Sequence, residues 1–232
     1  MAYETPIRRF PYNAVFRFRV DGRSADAEID RLLTGYQRRQ APLAWVVHPT
    51  AEPDDLRARL TRRGFARGEL VRGMTRSLAD LPPLLEPPPG IEVFEGAAAE
   101  ARDWLHLVSW RYDLAEDVTS TLADLYRMAI DQDPRRATRW WGARRAGLPL
   151  SKVVLHVSER VAGIYGVATI EAGRGLGLAG LLTLAALHAA QQSGCRFAVL
   201  HATPMAVRLY ERLGFQHSAE FEVWSEPGQT HL

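Results

Sequence analysis

Cysteine occurs once in the 232 residues, at Cys195, and lysine once, at Lys152. A lone cysteine excludes an intrachain disulfide and a multi-cysteine metal centre, and its place at the start of an apolar run reads as core packing. Arginine therefore carries nearly all the positive charge. No apolar run approaches the roughly 18–20 residues that a membrane span needs, and the opening MAYETPIRRF lacks the apolar centre of a secretory leader. The expectation is a cytoplasmic protein with no membrane partner and no metal. What is present suits a folded domain: 47% hydrophobic and 24% charged residues are ordinary for a globular protein with a sizeable core. Charge is uneven along the chain. Residues 1–80 hold 15 Arg against 10 Asp plus Glu, a balance of +5, whereas the remainder holds 14 Lys plus Arg against 17 acids, a balance of −3. An arginine-rich first third is either a solvated surface or a contact for a polyanion.

Residues 14–20 (AVFRFRV) alternate as a half-buried strand does, and Asp21-Gly22 turns the chain. A helix is predicted over 24–40, with Ala25, Ile29, Leu32, Leu33 and Tyr36 at helical spacing. A short strand at 43–47 comes next, then a helix from near Pro53 to a glycine stop at Gly64, and a strand over 69–75. The stretch PPLLEPPPG at 82–90 is the best linker in the chain, because proline removes backbone donors and favours an extended path. Beyond it the pattern predicts a strand at 91–95, a helix over 97–110, an acidic loop at 113–117, a helix over 121–130 and strands at 138–143, 152–158 and 161–170. A glycine loop with a helix to 193, a strand at 197–201, a helix at 205–213 and a strand at 215–224 complete it. This is a mixed α/β order. A faint repeat runs through it: VVHPTAEPDDLRARLTRRGF (46–65) and VLHATPMAVRLYERLGF (199–215) both read strand, His, Thr, helix, Gly, Phe, with Leu60 where the second copy has Tyr210.

The stretch on which the rest turns is GRGLGLAG, 173–180, between an apolar strand and a leucine-rich helix. Glycines let backbone approach a ligand closely, and the first amides of the helix carry no internal partner, so a pyrophosphate fits there without a lysine. Gly175–Gly180 also matches GxGxxG. A dinucleotide site, however, needs an acid about 20 residues on, at the tip of the next strand. Here that strand ends His201-Ala202-Thr203, and only residues 181–232 remain, too few for the other parallel strands.

This loop and the strand-helix unit C-terminal to it resemble the GNAT superfamily of N-acetyltransferases. The family loop Q/R-x-x-G-x-G/A corresponds to Ala172, Gly173, Arg174, Gly175, Leu176 and Gly177, with Ala172 in place of Gln or Arg. The family's N-x-x-A-x-x-L-Y-E-K-L-G-F corresponds to TPMAVRLYERLGF, in which Ala206, Leu209, Tyr210, Glu211, Leu213, Gly214 and Phe215 match and Thr203 replaces Asn. The resemblance covers about residues 91–224. It implies a GNAT-like α/β fold, a central mixed sheet flanked by helices, over 91–232, preceded by a linker at 82–90 and a degenerate GNAT-like subdomain at 1–81.

The same resemblance implies acetyl-CoA, or another acyl-CoA, as co-substrate. The amides of Gly173, Arg174, Gly175, Leu176, Gly177, Leu178 and Ala179 would hold its pyrophosphate, with Thr203 nearby, and the backbone of Val167, Ala168 and Thr169 would pair with the pantetheine arm as an added strand. It gives Tyr210 the role of general acid toward the departing thiolate, chemistry that a phenol protonated at pH 7 can perform. Glu171, His201 or a water chain could accept the proton of the amine, and the residues alone do not choose. The family's acceptor pocket maps onto a region with Trp104, Asp113 and Glu116, with Trp140 on the next strand. Aromatic rings and carboxylates suit a cationic amine, though tryptophans equally fill cores. The expected activity is transfer of an acyl group to a primary amine of a small molecule by direct attack in a ternary complex, in a monomer or homodimer. Two other readings stand beside it: a GNAT-like transferase taking an aminoacyl group from tRNA, and a non-catalytic CoA-binding sensor.

Overall fold

The computed structural model describes residues 1–10, 12–97, 100, 104, 115–132 and 137–228. The chain divides into two compact units, Met1–Gly73 with Ser218–Leu232, and Met74–His217. The last strand, which sequence order places with the C-terminal domain, thus groups with the first unit.

In the first unit, β1 (Ala2–Tyr3) pairs antiparallel with β2 (Ala14–Phe16), and β2 pairs parallel with β3 (Ala44–Val47) through Val15↔Trp45. The connection between β2 and β3 is α1 (Ala25–Arg38), which buries Ala25, Ile29, Leu32 and Tyr36 on one face. Then come α2 (Leu56–Arg62), β4 (Ala66–Ser77) and, from the chain's end, β10 (Gln216–Ser225), giving the order β1-β2-β3-β10-β4. The strand expected over 14–20 is shorter because Arg17 takes a left-handed φ of +48°, which ends the ladder. Its core gathers Phe18, Ile29, Trp45, Leu56, Leu60, Phe65 and Trp224, with Phe18 and Phe65 edge-on to Trp45.

The second unit is an antiparallel run of β5 (Glu92–Glu95), β6 (Thr138–Arg145), β7 (Leu148–Ser158) and β8 (Val161–Thr169), joined by β9 (Phe197–Ala202), parallel to β8. The crossover is α4 (Leu178–Gln192), apolar nearly all round because it is buried against the sheet. Ahead of β6 lies α3 (Glu116–Asp131), and after β9 lies α5 (Val207–Arg212). Glu116 and Asp117, expected in a loop, form the first turn of α3. Ala115 is extended and starts the helix, and acidic side chains suit its positive end. The helix expected over 97–110 lies almost wholly outside the described residues.

Strand alternation sorts the second unit's side chains onto two faces. Trp141, Ala143, Val153, Leu155, Ala162, Ile164, Ala198 and Leu200 meet Leu178, Leu182, Ala186, Tyr210 and Phe215 in the main core. On the opposite face Trp104, Trp140, Val154 and Ala168 form a separate cluster with Phe94. A bulge between Lys152 and Val154 of β7 opposes Val153 to both Gly166 and Val167, and Gly166 has φ +54°.

The repeat has a structural counterpart. Strand β3, helix α2, Gly64 at φ +84° and Phe65 match strand β9, helix α5, Gly214 at φ +80° and Phe215. In both, the phenylalanine amide closes the helix by donating to the carbonyl five residues back, Phe65 to Leu60 at 3.1 Å and Phe215 to Tyr210 at 3.0 Å. The parallel pair β2/β3 with crossover α1 likewise matches β8/β9 with crossover α4.

Candidate active site

The glycine loop is built from a single 3-10 turn, Glu171–Gly173, leading into α4. Gly173 is buried, and a β-carbon there would lie 3.1 Å from Leu150 and from Thr169, so only glycine lets the loop sit this close to the strands. Gly175 and Gly177 come next at φ +74° and +72°, with open space where a side chain would project. The amide of Arg174 returns to Glu171, and the amide of Leu181 is the first to bond into the helix, to Gly177 at 3.0 Å. Between them, no backbone hydrogen bond among the described residues uses the amides of Gly175 to Gly180. Six consecutive donors at the positive end of a buried fifteen-residue helix make a ready anion cradle. Leu178 is buried, Ala179 half-buried and Arg174 exposed.

Beside the loop, β8 and β9 part. Their parallel ladder runs from Val161↔Phe197 to Ile164↔Leu200 and stops, although β8 continues to Thr169. From Tyr165 onward, through Val167, Ala168 and Thr169, the edge of β8 that faced β9 has no strand partner among the described residues, while its other edge stays paired to β7 through Lys152↔Ala168 and Ser151↔Thr169. The bulge at Gly166-Val167 lies within this stretch and bends the strand locally. An extended chain bearing amides could occupy such an opening as a strand does.

Tyr210 sits on α5 with its ring buried at 5% exposure, edge-on to Phe215 at 5.8 Å. The loop helix and α5 meet where Gly180 faces the Leu209 side chain, 3.5 Å from where a β-carbon would stand. Thr203 is half-buried in the turn between β9 and α5, where its carbonyl accepts from the Ala206 amide at 2.9 Å. His201 comes directly after the last residue of β9 that pairs with β8 and alternates onto the same face as Val199 and Phe197, the face of Tyr165. It keeps solvent contact, yet desolvation by its surroundings holds its pKa below the ordinary histidine value, leaving the imidazole neutral at pH 7. Glu171 is exposed on the turn.

Among the acceptor-side residues, both indoles are packed rather than open. Trp104 and Trp140 are buried with centroids 5.4 Å apart, Phe94 lies edge-on to each, and the Trp140 ring N–H donates to the Ala97 carbonyl at 3.2 Å. They pack together on this face with Val154 and Ala168. Glu116 is exposed at the start of α3, and Asp113 lies outside the described residues. Sequence reasoning passed over Lys152, which is 3% exposed on β7 between Gly142 and Ala168. It is the lone lysine of an arginine-rich chain, on a strand otherwise carrying only Ser151, His156 and Ser158 as polar side chains.

Residues 102–215 match the model of the acetyltransferase (GNAT) family. The chain carries a GNAT-family acetyltransferase domain over these residues. Solved structures support the fold over nearly the whole chain. A GCN5-related N-acetyltransferase from Kribbella flavida superposes with a TM-score of 0.71 at 20% identity, covering 94% of this chain and 82% of that one. One from Sphaerobacter thermophilus gives 0.69 at 17%, covering 91% and 70%. A tandem GNAT protein of the clavulanic acid biosynthesis pathway gives 0.64 at 18%, covering 88% and 69%. A search of curated proteins returns no match. Within the described residues of this GNAT protein no cluster of three or more His, Cys, Asp or Glu could hold a metal, and no helix is long and apolar enough to cross a membrane.

Proposed function

We propose that the protein transfers an acyl group, most simply acetyl, from acyl-CoA to the primary amine of a small molecule by direct attack in a ternary complex. The observation that carries this reading is the junction of six amides that, among the described residues, take no backbone partner with a strand edge that likewise pairs with no strand there. Gly175 to Gly180 would bind the pyrophosphate, and Val167 to Thr169 would hold the pantetheine arm in line with β9. Bound acyl-CoA supplies the activated thioester.

Tyr210 then donates its phenolic proton to the sulfur as the carbon–sulfur bond breaks, a contribution of typically ~10²- to 10⁴-fold. His201, neutral and on the open face, accepts the proton that the attacking amine loses, with Glu171 as the more exposed alternative. The first unit is read as a second GNAT-like copy that kept β2-α1-β3-α2 and lacks the loop: residues 17–24 (RFRVDGRS) stand where the active copy has its glycines. Leu60 there occupies the place of Tyr210.

Half of that unit's fourteen arginines are engaged within it, which favours acyl-CoA over tRNA as donor. Arg19, Arg23, Arg31, Arg39, Arg57, Arg59 and Arg63 are each engaged by carboxylates of their own unit, Arg59 and Arg63 by two apiece, which spends charge that a polyanion would need. Calorimetric titration with acetyl-CoA tests the proposal. Saturable binding is expected, and no heat at millimolar ligand sinks it.

A further inference from the structure

Ser151 is fully buried on β7, and acyl transfer by Tyr210 and His201 makes no use of its hydroxyl. A buried hydroxyl costs free energy unless it is hydrogen-bonded. Here its partners are two neighbouring residues of β8. The Ser151 Oγ donates to the Ala168 carbonyl at 3.0 Å and lies 2.8 Å from the Thr169 Oγ1. A carbonyl can only accept, and the serine has one proton to give, so the Thr169 hydroxyl donates to Ser151. The result is a short chain, Thr169 hydroxyl to Ser151 hydroxyl to Ala168 carbonyl, that spends both protons inside the protein and holds the Thr169 side chain in one rotamer.

Thr169 is where the two halves of the proposed acyl-CoA site meet. The Ile170 amide donates to the Leu150 carbonyl at 2.9 Å, across to β7. Successive strand residues turn their backbone groups to opposite sides, so the N–H and C=O of Thr169 turn to the open edge. Its methyl borders the glycine loop, since a β-carbon at Gly173 would lie 3.1 Å from it. One residue thus lends its backbone to the edge, packs its methyl on the loop and is held by its hydroxyl. Register needs holding at this point. Ser151↔Thr169 and Lys152↔Ala168 are the rungs between the loop and the bulge, where the ladder slips and the strand bends. Ser151 grips β8 on the loop side of that irregularity with bonds that the backbone ladder does not supply.

We infer that Ser151 is a positioning residue for acyl-CoA: through Thr169 it fixes the strand edge relative to the amide cradle, so that one ligand engages both at once. This rests on the acyl-CoA reading. A ligand held at two points binds much more tightly than either half only when the spacing of the two sites matches its own. The pyrophosphate and the arm of acyl-CoA are joined covalently, which makes their separation a demand on the protein. Ser151 does not touch the ligand; it preserves the match.

The test uses Ser151→Ala, Thr169→Val, which keeps the shape of threonine without its hydroxyl, and the two together, each with its fold verified by melting. In calorimetric titration with acetyl-CoA each single substitution should weaken affinity by roughly three- to tenfold. The double should be no weaker than the weaker single, because the two hydroxyls act as one chain. Amide exchange at saturating acetyl-CoA is the second readout. In the wild type the ligand should slow exchange both in the cradle, residues 175–180, and along the edge, residues 167–169. In Ser151→Ala the cradle should keep that protection while the edge loses most of it. A substitution that only loosens the fold alters exchange with and without ligand alike. Ser151→Ala with wild-type affinity and protection overturns the inference and leaves the acyl-CoA reading standing. So does protection lost equally from cradle and edge, or a double variant weakened by the product of the singles. A wild type that acetyl-CoA neither binds nor protects removes the acyl-CoA reading and the inference with it.

Discussion

Alanine at both Gly175 and Gly177 separates the strain of the glycine loop from its function. Both residues are left-handed, at φ +74° and +72°, and neither has an atom within 4 Å of where a β-carbon would stand. Steric overlap is thus absent, and the whole effect is the left-handed penalty of a non-glycine residue, about 1–2 kcal/mol each and about 2–4 kcal/mol together. That energy has two outlets. If the loop keeps its shape, the fold bears the strain and the melting temperature falls by roughly 2–4 °C per kcal/mol for a chain of this size. If the loop relaxes, the six amides no longer converge, and acetyl-CoA affinity falls by up to the same energy, roughly 30- to 1000-fold. Gly194→Ala is the matched control, since Gly194 ends the same helix at φ +82° with open space around it. It should lower the melting temperature and leave acetyl-CoA affinity alone. Melting scans and calorimetric titration of the variants read both outlets. A Gly175→Ala, Gly177→Ala protein that binds acetyl-CoA as the wild type does, or a Gly194→Ala protein that loses affinity equally, refutes the assignment of the cradle.

Tyr210→Phe keeps the edge contact with Phe215 and removes only the proton donor, so kcat should drop by about 10²-fold or more with little change in melting temperature. Turnover within a few-fold of the wild type removes the phenol from the mechanism. Asn13 is fully buried, accepting from the Thr5 amide at 2.9 Å and donating to the Ile7 carbonyl at 2.6 Å. Asn13→Ala strands both groups and should cost about 2–5 kcal/mol in a urea melt; a loss under about 1 kcal/mol contradicts the network. Lys152 titrates at about 8 in the fold against 10.5 in the open chain, so between those values the unfolded chain holds the extra proton and stability rises with pH. Below pH 8 the penalty is fully present, about 3 kcal/mol. The stability of the wild type relative to Lys152→Met should therefore improve as the pH rises from 8 to 10.5. A difference that ignores pH counts against desolvation as its source.

Much of the site is legible in the chain alone. The glycine loop, the TPMAVRLYERLGF helix and the parallel crossover are all readable, because each rests on a local rule: positive φ, helical spacing, a glycine stop. The partner of each strand is not. β8 loses β9 after Ile164, next to a bulge at Gly166-Val167, and the glycine in VAGIYGVAT hints at the bulge without telling which neighbour is lost. For the same reason Lys152 reads as one residue in an apolar strand, since its flanking by Gly142 and Ala168 is a matter of register across three strands. For the tryptophans the sequence leaves pocket wall and core filling open, and packing against Phe94 and the Ala97 carbonyl buries both rings.

The gap between β8 and β9 is also a filter on company. An exposed strand edge ordinarily invites any passing polypeptide to pair with it, the usual route to aggregation. Here the open edge lies inside the sheet, with the ladder to Leu200 closing one end. A peptide strand would have to fit its side chains into that wedge. A slender chain with amides and no substituents at each position meets no such obstacle. Such geometry leaves the protein hydrogen-bonding capacity in reserve for one kind of guest while withholding it from its own neighbours in a crowded cell. Occupancy should slow amide exchange along Val167 to Thr169, so the guest would act as a temporary part of the fold.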